Sequence, residues 1–273
     1  MLAYWLVTGA AFLLLLWLVA EPAWRERRHR QLRGLPLRQR WRKILRRRVP
    51  LVARLPAALQ LQLKAHMQVF LAEKPFIGCA GLQVTDEMRV TVAAQACLLL
   101  LNRRTDYYAG LRQVLLYPDS FLVQRVATEP GGVLREQRHA LAGESWSQGQ
   151  VILSWQDVLA GAADPDDGRN VVIHEFAHQL DQQTGSANGA PLLGGRRQYR
   201  HWSGVLGAEF ARLQQQAAAG QPSLLSHYGA TDPAEFFAVA SEVFFEQGQR
   251  LQAEHPALYQ QLAQYYCLSP AQW

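Results

Sequence analysis

The segment NVVIHEFAHQLD, residues 170–181, constrains the fold more than any other part of this chain. Its apolar residues recur at helical spacing and predict a largely buried helix that begins after Asn170. His174 and His178 are four residues apart, so both imidazoles lie on one face of that helix and can bind a single metal ion. Glu175 stands beside the first histidine, where its carboxylate can reach a metal-bound water rather than the metal. The alternative is a core helix whose histidines are only hydrogen-bonded.

A catalytic metal ion bound in this way needs a third protein ligand and an open position for water. The motif does not extend along the same helix, because Thr184 occupies the position of the further ligand. A later helix is the other common source of a ligand, and residues 228–245 predict one with Asp232 as its N-cap. Glu235 is the first candidate there, although it also fits a capping box that would only satisfy backbone donors. The spacing leaves three other ligands open: Glu242, His201 and His227.

The residues that follow the second histidine allow two interpretations each. Asp181 lies two helical turns after His174, and it either orients a histidine or is an ordinary exposed aspartate near a helix end. The glycine-rich residues 185–195 form either a lid over the site or a plain connector.

Composition bounds the class of protein. Hydrophobic residues make up 49% and charged residues 18% of the chain, which is enough to bury a substantial core. Three scattered cysteines are too few for a disulfide framework or a thiolate zinc site. The net charge of +6 is concentrated in residues 21–54, which hold 13 of the 28 lysines and arginines and only two acids. The rest of the chain is mildly acidic, so we expect no direct binding of nucleic acid.

The first twenty residues predict a membrane anchor. Residues 1–20 carry no charged side chain, and as a helix they would rise about 30 Å, the thickness of a hydrocarbon core. Trp5 and Trp17 stand towards the two ends, as interfacial aromatic residues do. The alternative, a cleaved signal peptide, would carry its positive charge before the apolar stretch.

The arginines after this stretch set the expected topology. Positive charge is retained on the cytoplasmic side, so we predict a single-pass protein of the bacterial-type cytoplasmic (inner) membrane with its main domain facing the cytoplasm. Residues 21–54 would form a basic juxtamembrane linker, either solvated or attracted to anionic lipid. Residues 55–273 would form the folded domain.

The coarse pattern of elements predicts an α+β fold that is mostly helical with a small sheet. The predicted helices cover residues 56–73, 86–102 and much of the chain beyond 170, and the predicted strands cover residues 113–117, 121–123 and 150–155. The order of helices, a small sheet and then helices indicates α+β rather than alternating α/β. Residues 150–155 would either present an edge to an extended peptide or form a plain core strand.

Two helical motifs together resemble the Mlc titration factor A family of zinc peptidases. NVVIHEFAHQLD is followed by YGATDPAEFFAVASEVFF, with Glu235 57 residues after His178. The stretches LLYPDSFLV and ESWSQGQVILSWQDV are similar to the middle region of that family, and the resemblance covers roughly residues 55–270. It implies a zincin-like, gluzincin-type domain over residues 55–273, similar to the catalytic domain of lethal factor.

The resemblance also implies roles for individual residues. His174, His178 and Glu235 would bind one zinc ion, and Glu175 would be the catalytic acid and base. Tyr228 matches a tyrosine that the family shares with lethal-factor-like peptidases, where it assists catalysis.

The function implied by the resemblance is that of a zinc-dependent metallopeptidase, of aminopeptidase type, acting on a peptide or protein substrate. The family takes its name from sequestering a transcriptional repressor of sugar uptake. The alternative is therefore a regulatory binding protein that holds such a repressor, with peptidase activity secondary.

Overall fold

The computed structural model describes residues 1–119, 121–128, 134–141, 143–146 and 149–273. It has the predicted α+β fold, mostly helical with a small sheet. The α-helices are α1 (Leu2–Arg33), α2 (Gln39–Arg48), α3 (Leu51–Arg54), α4 (Ala57–Glu73), α5 (Asp86–Leu98), α6 (Trp155–Ala163), α7 (Val171–Asp181), α8 (Arg196–Ala218), α9 (Pro233–Glu246), α10 (Gly248–Glu254) and α11 (Pro256–Tyr266). The strands are β1 (Phe76–Gly78), β2 (Gln113–Tyr117), β3 (Phe121–Thr128), β4 (Leu134–Leu141), β5 (Gly143–Trp146) and β6 (Gln150–Ser154). Short 3-10 helices cover Gln182–Thr184, His227–Ala230 and Pro270–Gln272.

The main sheet has the order β1-β2-β6-β5. Strands β1, β2 and β6 run parallel, and β5 pairs antiparallel with β6. Because β6 is hydrogen-bonded on both sides, the interpretation of residues 150–155 as a free edge is wrong. Strand β5 lies beyond it, at the end of the sheet and beside α7. Strands β3 and β4 form a separate antiparallel pair.

Several predicted elements are confirmed, and α5 shows how such a prediction overshoots. Helix α4 covers the expected range, and β2 matches residues 113–117. Helix α5 ends at Leu98, because the amides of Leu100 and Leu101 bond three residues back and Asn102 takes a left-handed conformation. The leucines of this turn are still buried. A run of buried leucines therefore does not distinguish a helix from the tight turn that ends it.

The apolar face of α7 packs into the core. Phe176 lies with its ring centroid 4.8 Å from that of Tyr108 and 5.7 Å from that of Phe70, both at edge-to-face angles. The whole apolar side of the helix is buried: Val172, Ile173, Phe176, Ala177 and Leu180. This packing fixes the rotation of α7, so His174 and His178 face α9 rather than the core.

The prediction of a membrane anchor over residues 1–20, and with it the predicted location in the cytoplasmic membrane, is wrong. Across the residues that the structure describes, no helix combines the length and the apolar character needed to cross a membrane. The stretch belongs to α1, which continues without a break to Arg33. The charged second half of α1 lies against α4, where His29 Nε2 is 2.8 Å from Glu73 Oε1.

The basic residues that follow α1 also contact the rest of the protein. The buried Trp41 of α2 donates its indole N–H to Asp86 at 3.0 Å, and Arg47 and Arg48 pair with Glu87. Both acids stand in the first turn of α5, where they also interact favourably with the helix dipole. The α2 segment is thus attached to α5 by burial and by ion pairs.

We expect the buried His66 to make the protein less stable in mild acid. Burial, followed by the charge of Arg33, lowers the pKa of His66 from 6.5 to about 4. The folded protein keeps this imidazole neutral while the unfolded chain protonates it, so stability is lost as the pH falls from 6.5 towards 4. Between about pH 7.5 and about pH 5, His66→Gln should lose about 2 kcal/mol less free energy of unfolding than the wild type.

Urea unfolding at the two pH values measures this difference. His201 on α8 is exposed, so His201→Gln should show the same acid loss as the wild type. An equal loss in His66→Gln would contradict the assignment.

Candidate metal centre

Helix α7 carries the first half of the site, and its start is fixed by a side-chain cap. The Asn170 Oδ1 accepts the backbone N–H of Ile173 at 3.0 Å, as expected for an N-cap. With the apolar face of the helix held in the core, His174 and His178 lie one turn apart on the side that faces α9.

Helix α9 carries the second half. Asp232 caps it by accepting the backbone N–H groups of Ala234 and Glu235, and Pro233 follows at the first helical position, as the sequence predicts. The Glu235 carboxylate is directed elsewhere: its Oε2 lies 3.0 Å from His174 Nε2 and 3.4 Å from His178 Nε2. The cap of α9 therefore involves only the backbone of Glu235, and the carboxylate of this residue lies with His174 and His178.

The three side chains have the spacing that a tetrahedral metal ion requires. The Nε2 atoms of His174 and His178 are 3.2 Å apart, so the three donor atoms are separated by 3.0, 3.2 and 3.4 Å. Ligands placed about 2.0–2.1 Å from a tetrahedral zinc ion are about 3.3 Å from one another. His174, His178 and Glu235 thus form a cluster that could hold a metal ion.

The electrostatics of the cluster also favour a bound cation. His174 Nδ1 is 2.8 Å from Glu242 Oε1, and because a carboxylate only accepts, Nδ1 carries the proton. In a neutral ring, the lone pair of His174 Nε2 then faces the Glu235 oxygen and the His178 nitrogen, and the electron pairs of these atoms repel one another. A shared proton or a metal ion between the atoms removes this repulsion.

The pKa shifts have the same origin. Burial opposes protonation of His174, but its hydrogen bonds with Glu235 and Glu242 outweigh burial and raise its pKa. Burial alone would raise the pKa of Glu235, yet the hydrogen bonds from the two histidines hold it well below its usual value. The anionic carboxylate of Glu235 thus favours positive charge on His174.

The structure separates the other candidate ligands from the cluster. Glu242 Oε1 contacts His174 Nδ1, and Glu242 Oε2 accepts the backbone N–H of Asn170 at 2.5 Å, so Glu242 orients a histidine. His201 and His227 are exposed and lie outside the cluster. The sequence signal for Glu242 was its position two turns after Glu235, but spacing alone did not distinguish a ligand from a partner of a ligand.

Glu175 and Tyr228 line one cleft with His174. This cleft has a volume of about 690 Å³ and runs between α6, α7 and the middle of α9. Glu175 is 2% exposed, whereas Tyr228 is 50% exposed, with its ring centroid 5.9 Å from that of His174. A larger cavity of about 1180 Å³ lies near the C-terminal end of α7 and is lined by none of the three cluster residues. Of the three cluster residues, His174 lines the smaller cleft, which makes that cleft the candidate substrate site.

Asp181 is fully buried and holds the glycine-rich loop. Its Oδ2 accepts the backbone N–H of Gly189 at 2.7 Å, and burial raises its pKa although loop amides and His178 oppose the shift. The indole of Trp202 donates to the carbonyl of Gly189 at 2.8 Å. Both the N–H and the carbonyl of Gly189, at the centre of residues 185–195, are thus hydrogen-bonded. This favours the interpretation of these residues as a connector over their interpretation as a lid.

We expect Gly189→Ala to destabilise the protein by disturbing the first turn of α9. Gly189 has φ +75°, and an added Cβ would lie 2.3 Å from the carbonyl oxygen of Pro233. Gly220 is a matched control, because it has φ +62° and open space around it. Gly220→Ala should cost about 1 kcal/mol of unfolding free energy, and Gly189→Ala about 2 kcal/mol more, measured by urea unfolding. Equal losses would mean that the contact with Pro233 relaxes freely.

Comparison with known proteins finds relatives over most of the chain. The chain is 44% identical over 250 residues to an uncharacterized protein of Synechocystis sp., covering 91% of each. It is 34% identical over 227 residues to Mlc titration factor A of Salmonella agona, covering 82% of this chain and 84% of that protein. Mlc titration factor A of Salmonella arizonae is 33% identical over 227 residues, with 82% and 89% covered. The model of the glucose-regulated metallo-peptidase M90 family matches residues 23–267, and the chain belongs to this family.

Proposed function

We propose that this protein is a zinc-dependent metallopeptidase of aminopeptidase type. His174, His178 and Glu235 hold the zinc ion, Glu175 is the general acid and base, and Tyr228 assists. One observation carries the proposal: two imidazoles and a carboxylate, supplied by two helices, are spaced as the ligands of a tetrahedral ion, and His174 among them lines an open cleft.

The donor set favours zinc over the harder cations. Two imidazole nitrogens and one carboxylate oxygen are the ligands of many catalytic zinc sites, whereas magnesium and calcium prefer oxygen ligands alone. Three protein ligands leave a fourth position for water or substrate. The carboxylate of Glu242 on His174 Nδ1 fixes the ring tautomer and makes Nε2 a better ligand.

The chain's own residues supply the proton transfers. When bound, zinc acts as a Lewis acid that polarises the scissile carbonyl and acidifies water. Glu175 takes the proton of the attacking water and later gives it to the leaving amine. Glu175 is buried to 2% exposure and lines the same cleft as His174, so the water and the substrate would lie within its reach. The Tyr228 hydroxyl donates a hydrogen bond to the oxyanion that develops on the carbonyl.

The end of the sheet offers a place for the substrate backbone. Strand β5 follows β6 in the sheet order, and it packs beside α7. An extended peptide added to the outer side of β5 would run alongside the helix that carries both histidines.

Replacing the general base should separate catalysis from metal binding. Glu175→Gln keeps the size of the side chain but does not accept the water proton, so hydrolysis of amino-acid anilides should fall about 10²–10⁴-fold. Zinc content, measured by metal analysis of the purified protein, should stay at one ion per chain. The exposed Glu254 of α10 provides a control, since Glu254→Gln should leave both values unchanged. Wild-type hydrolysis by Glu175→Gln would remove the mechanism.

Replacing the third ligand should remove the metal as well as the activity. Glu235→Ala removes one of three protein ligands, so we expect zinc content to fall and hydrolysis to be lost with it. An unchanged zinc content in Glu235→Ala would point to another ligand.

Replacing the tyrosine should leave the metal in place. Tyr228→Phe should keep its zinc while kcat falls about tenfold or more, because the variant loses only a hydrogen bond to the oxyanion.

A second candidate is a regulatory binding protein that captures a transcriptional repressor. The observation in its favour is the name of the Salmonella relatives, Mlc titration factor A, which says that they titrate Mlc. A protein that only binds has no use for Glu175, which favours the peptidase as the primary activity. Immobilised Glu175→Gln protein distinguishes the two: capture of purified Mlc by this inactive variant would support binding, and absence of capture would count against it.

A further inference from the structure

Asn170 makes more contacts than a helix cap requires. Its side-chain oxygen caps α7, and its side-chain nitrogen donates to Glu246 Oε1 at 2.9 Å and to the Gly161 carbonyl at 3.1 Å. Its backbone N–H donates to Glu242 Oε2 at 2.5 Å. The residue is 2% exposed, so these partners take the place of water.

The contacts of Asn170 join three helices at one point. Glu242 and Glu246 are one turn apart on α9, and Gly161 lies on α6. A Cβ added to Gly161 would lie 3.0 Å from the Asn170 Cα, so α6 approaches the start of α7 as closely as glycine allows. Other caps in this fold do less: the side chains of Ser154 and Thr85 each accept one backbone N–H at the start of their helices.

The same contacts lead directly to the candidate metal centre. Asn170 holds one oxygen of Glu242, and the other oxygen contacts His174 Nδ1 at 2.8 Å. Asn170 is also one turn before His174 on α7, while Glu242 and Glu246 lie on the helix that supplies Glu235. Any sliding of α9 along α7 changes the distances from Glu235 to both histidines.

We propose that Asn170 is a positioning residue of the metal centre, which sets the spacing of its ligands by fixing Glu242 and Glu246 of α9 to the first turn of α7. This inference rests on the proposed function of the cluster as a zinc site. Asn170 acts through the two glutamates. Its own contact with His174 is a backbone bond of the helix, in which the Asn170 carbonyl accepts the His174 N–H at 2.9 Å.

The state of Glu246 shows which part of this link matters. Burial raises the pKa of Glu246 to about 8, with further contributions from Asp167 and Glu242, against the hydrogen bond from Asn170. At neutral pH the carboxyl group is therefore mostly neutral, and it serves as a hydrogen-bond partner rather than as a charge. A glutamine side chain can accept the same bond from Asn170, whereas alanine cannot.

The test measures the zinc dissociation constant by chelator competition and the thermal midpoint of the metal-free protein, both on the full chain. Asn170→Ser keeps a capping oxygen but loses the amide nitrogen, so zinc affinity should fall about 10–100-fold. Glu246→Ala breaks the link from the α9 side without touching the cap and should also weaken zinc. Glu246→Gln should bind zinc within about twofold of the wild type, since it preserves the link.

Thr85→Ala is the matched control for lost helix capping. It removes the cap of α5 and should lower the thermal midpoint while leaving zinc affinity unchanged. Wild-type zinc affinity in both Asn170→Ser and Glu246→Ala would overturn the proposal, as would equal weakening by Thr85→Ala.

One more variant distinguishes this failure from failure of the proposed function. If the wild type binds zinc no better than His174→Ala, the metal site itself is wrong, and the role of Asn170 is wrong with it. If the wild type binds zinc tightly and both Asn170→Ser and Glu246→Ala bind it as tightly, only the positioning role is overturned.

Discussion

The packing of α7 against α9 is the contact on which the candidate site depends. One helix contributes two histidines and the other two glutamates, and all four side chains are largely withdrawn from water. Isolated charges in such a place would be costly, so the imidazoles and carboxylates must face one another. The four side chains of the site therefore come together when α7 packs against α9.

The apolar core gives this contact its geometry. Phe176 anchors α7 against Phe70 and Tyr108, while α9 is held from its other side by Phe237 and Phe244 stacked near Tyr266. These rings leave each helix little freedom to rotate, because a core packed at this density transmits any shift to its neighbours. The polar residues then only need to fix how far one helix slides along the other.

The site is prepared for a cation before one arrives. The hydrogen bonds from the two histidines lower the pKa of Glu235, so this carboxyl group favours its anionic form. Glu242 accepts the Nδ1 proton of His174, which turns Nε2 of that ring towards Glu235 and His178. A metal ion would replace shared protons among atoms that already have nearly the right spacing. Little rearrangement is then needed on binding, which is the condition for a precise catalytic centre.

The sequence by itself predicted most of the helices and the residues of the candidate site, because helical periodicity, caps and the spacing of two histidines are local properties. It predicted α4, the Asp232 cap and Glu235 as the foremost third ligand. Only the tertiary structure decided what joins these parts. It placed Glu242 on His174, fastened the loop through Asp181, and put β5 rather than β6 at the sheet edge. It also replaced the predicted anchor with a helix whose charged half lies on α4. These outcomes depend on contacts between residues far apart in the chain, and no local pattern of hydrophobicity or charge specifies which distant partner a side chain will meet.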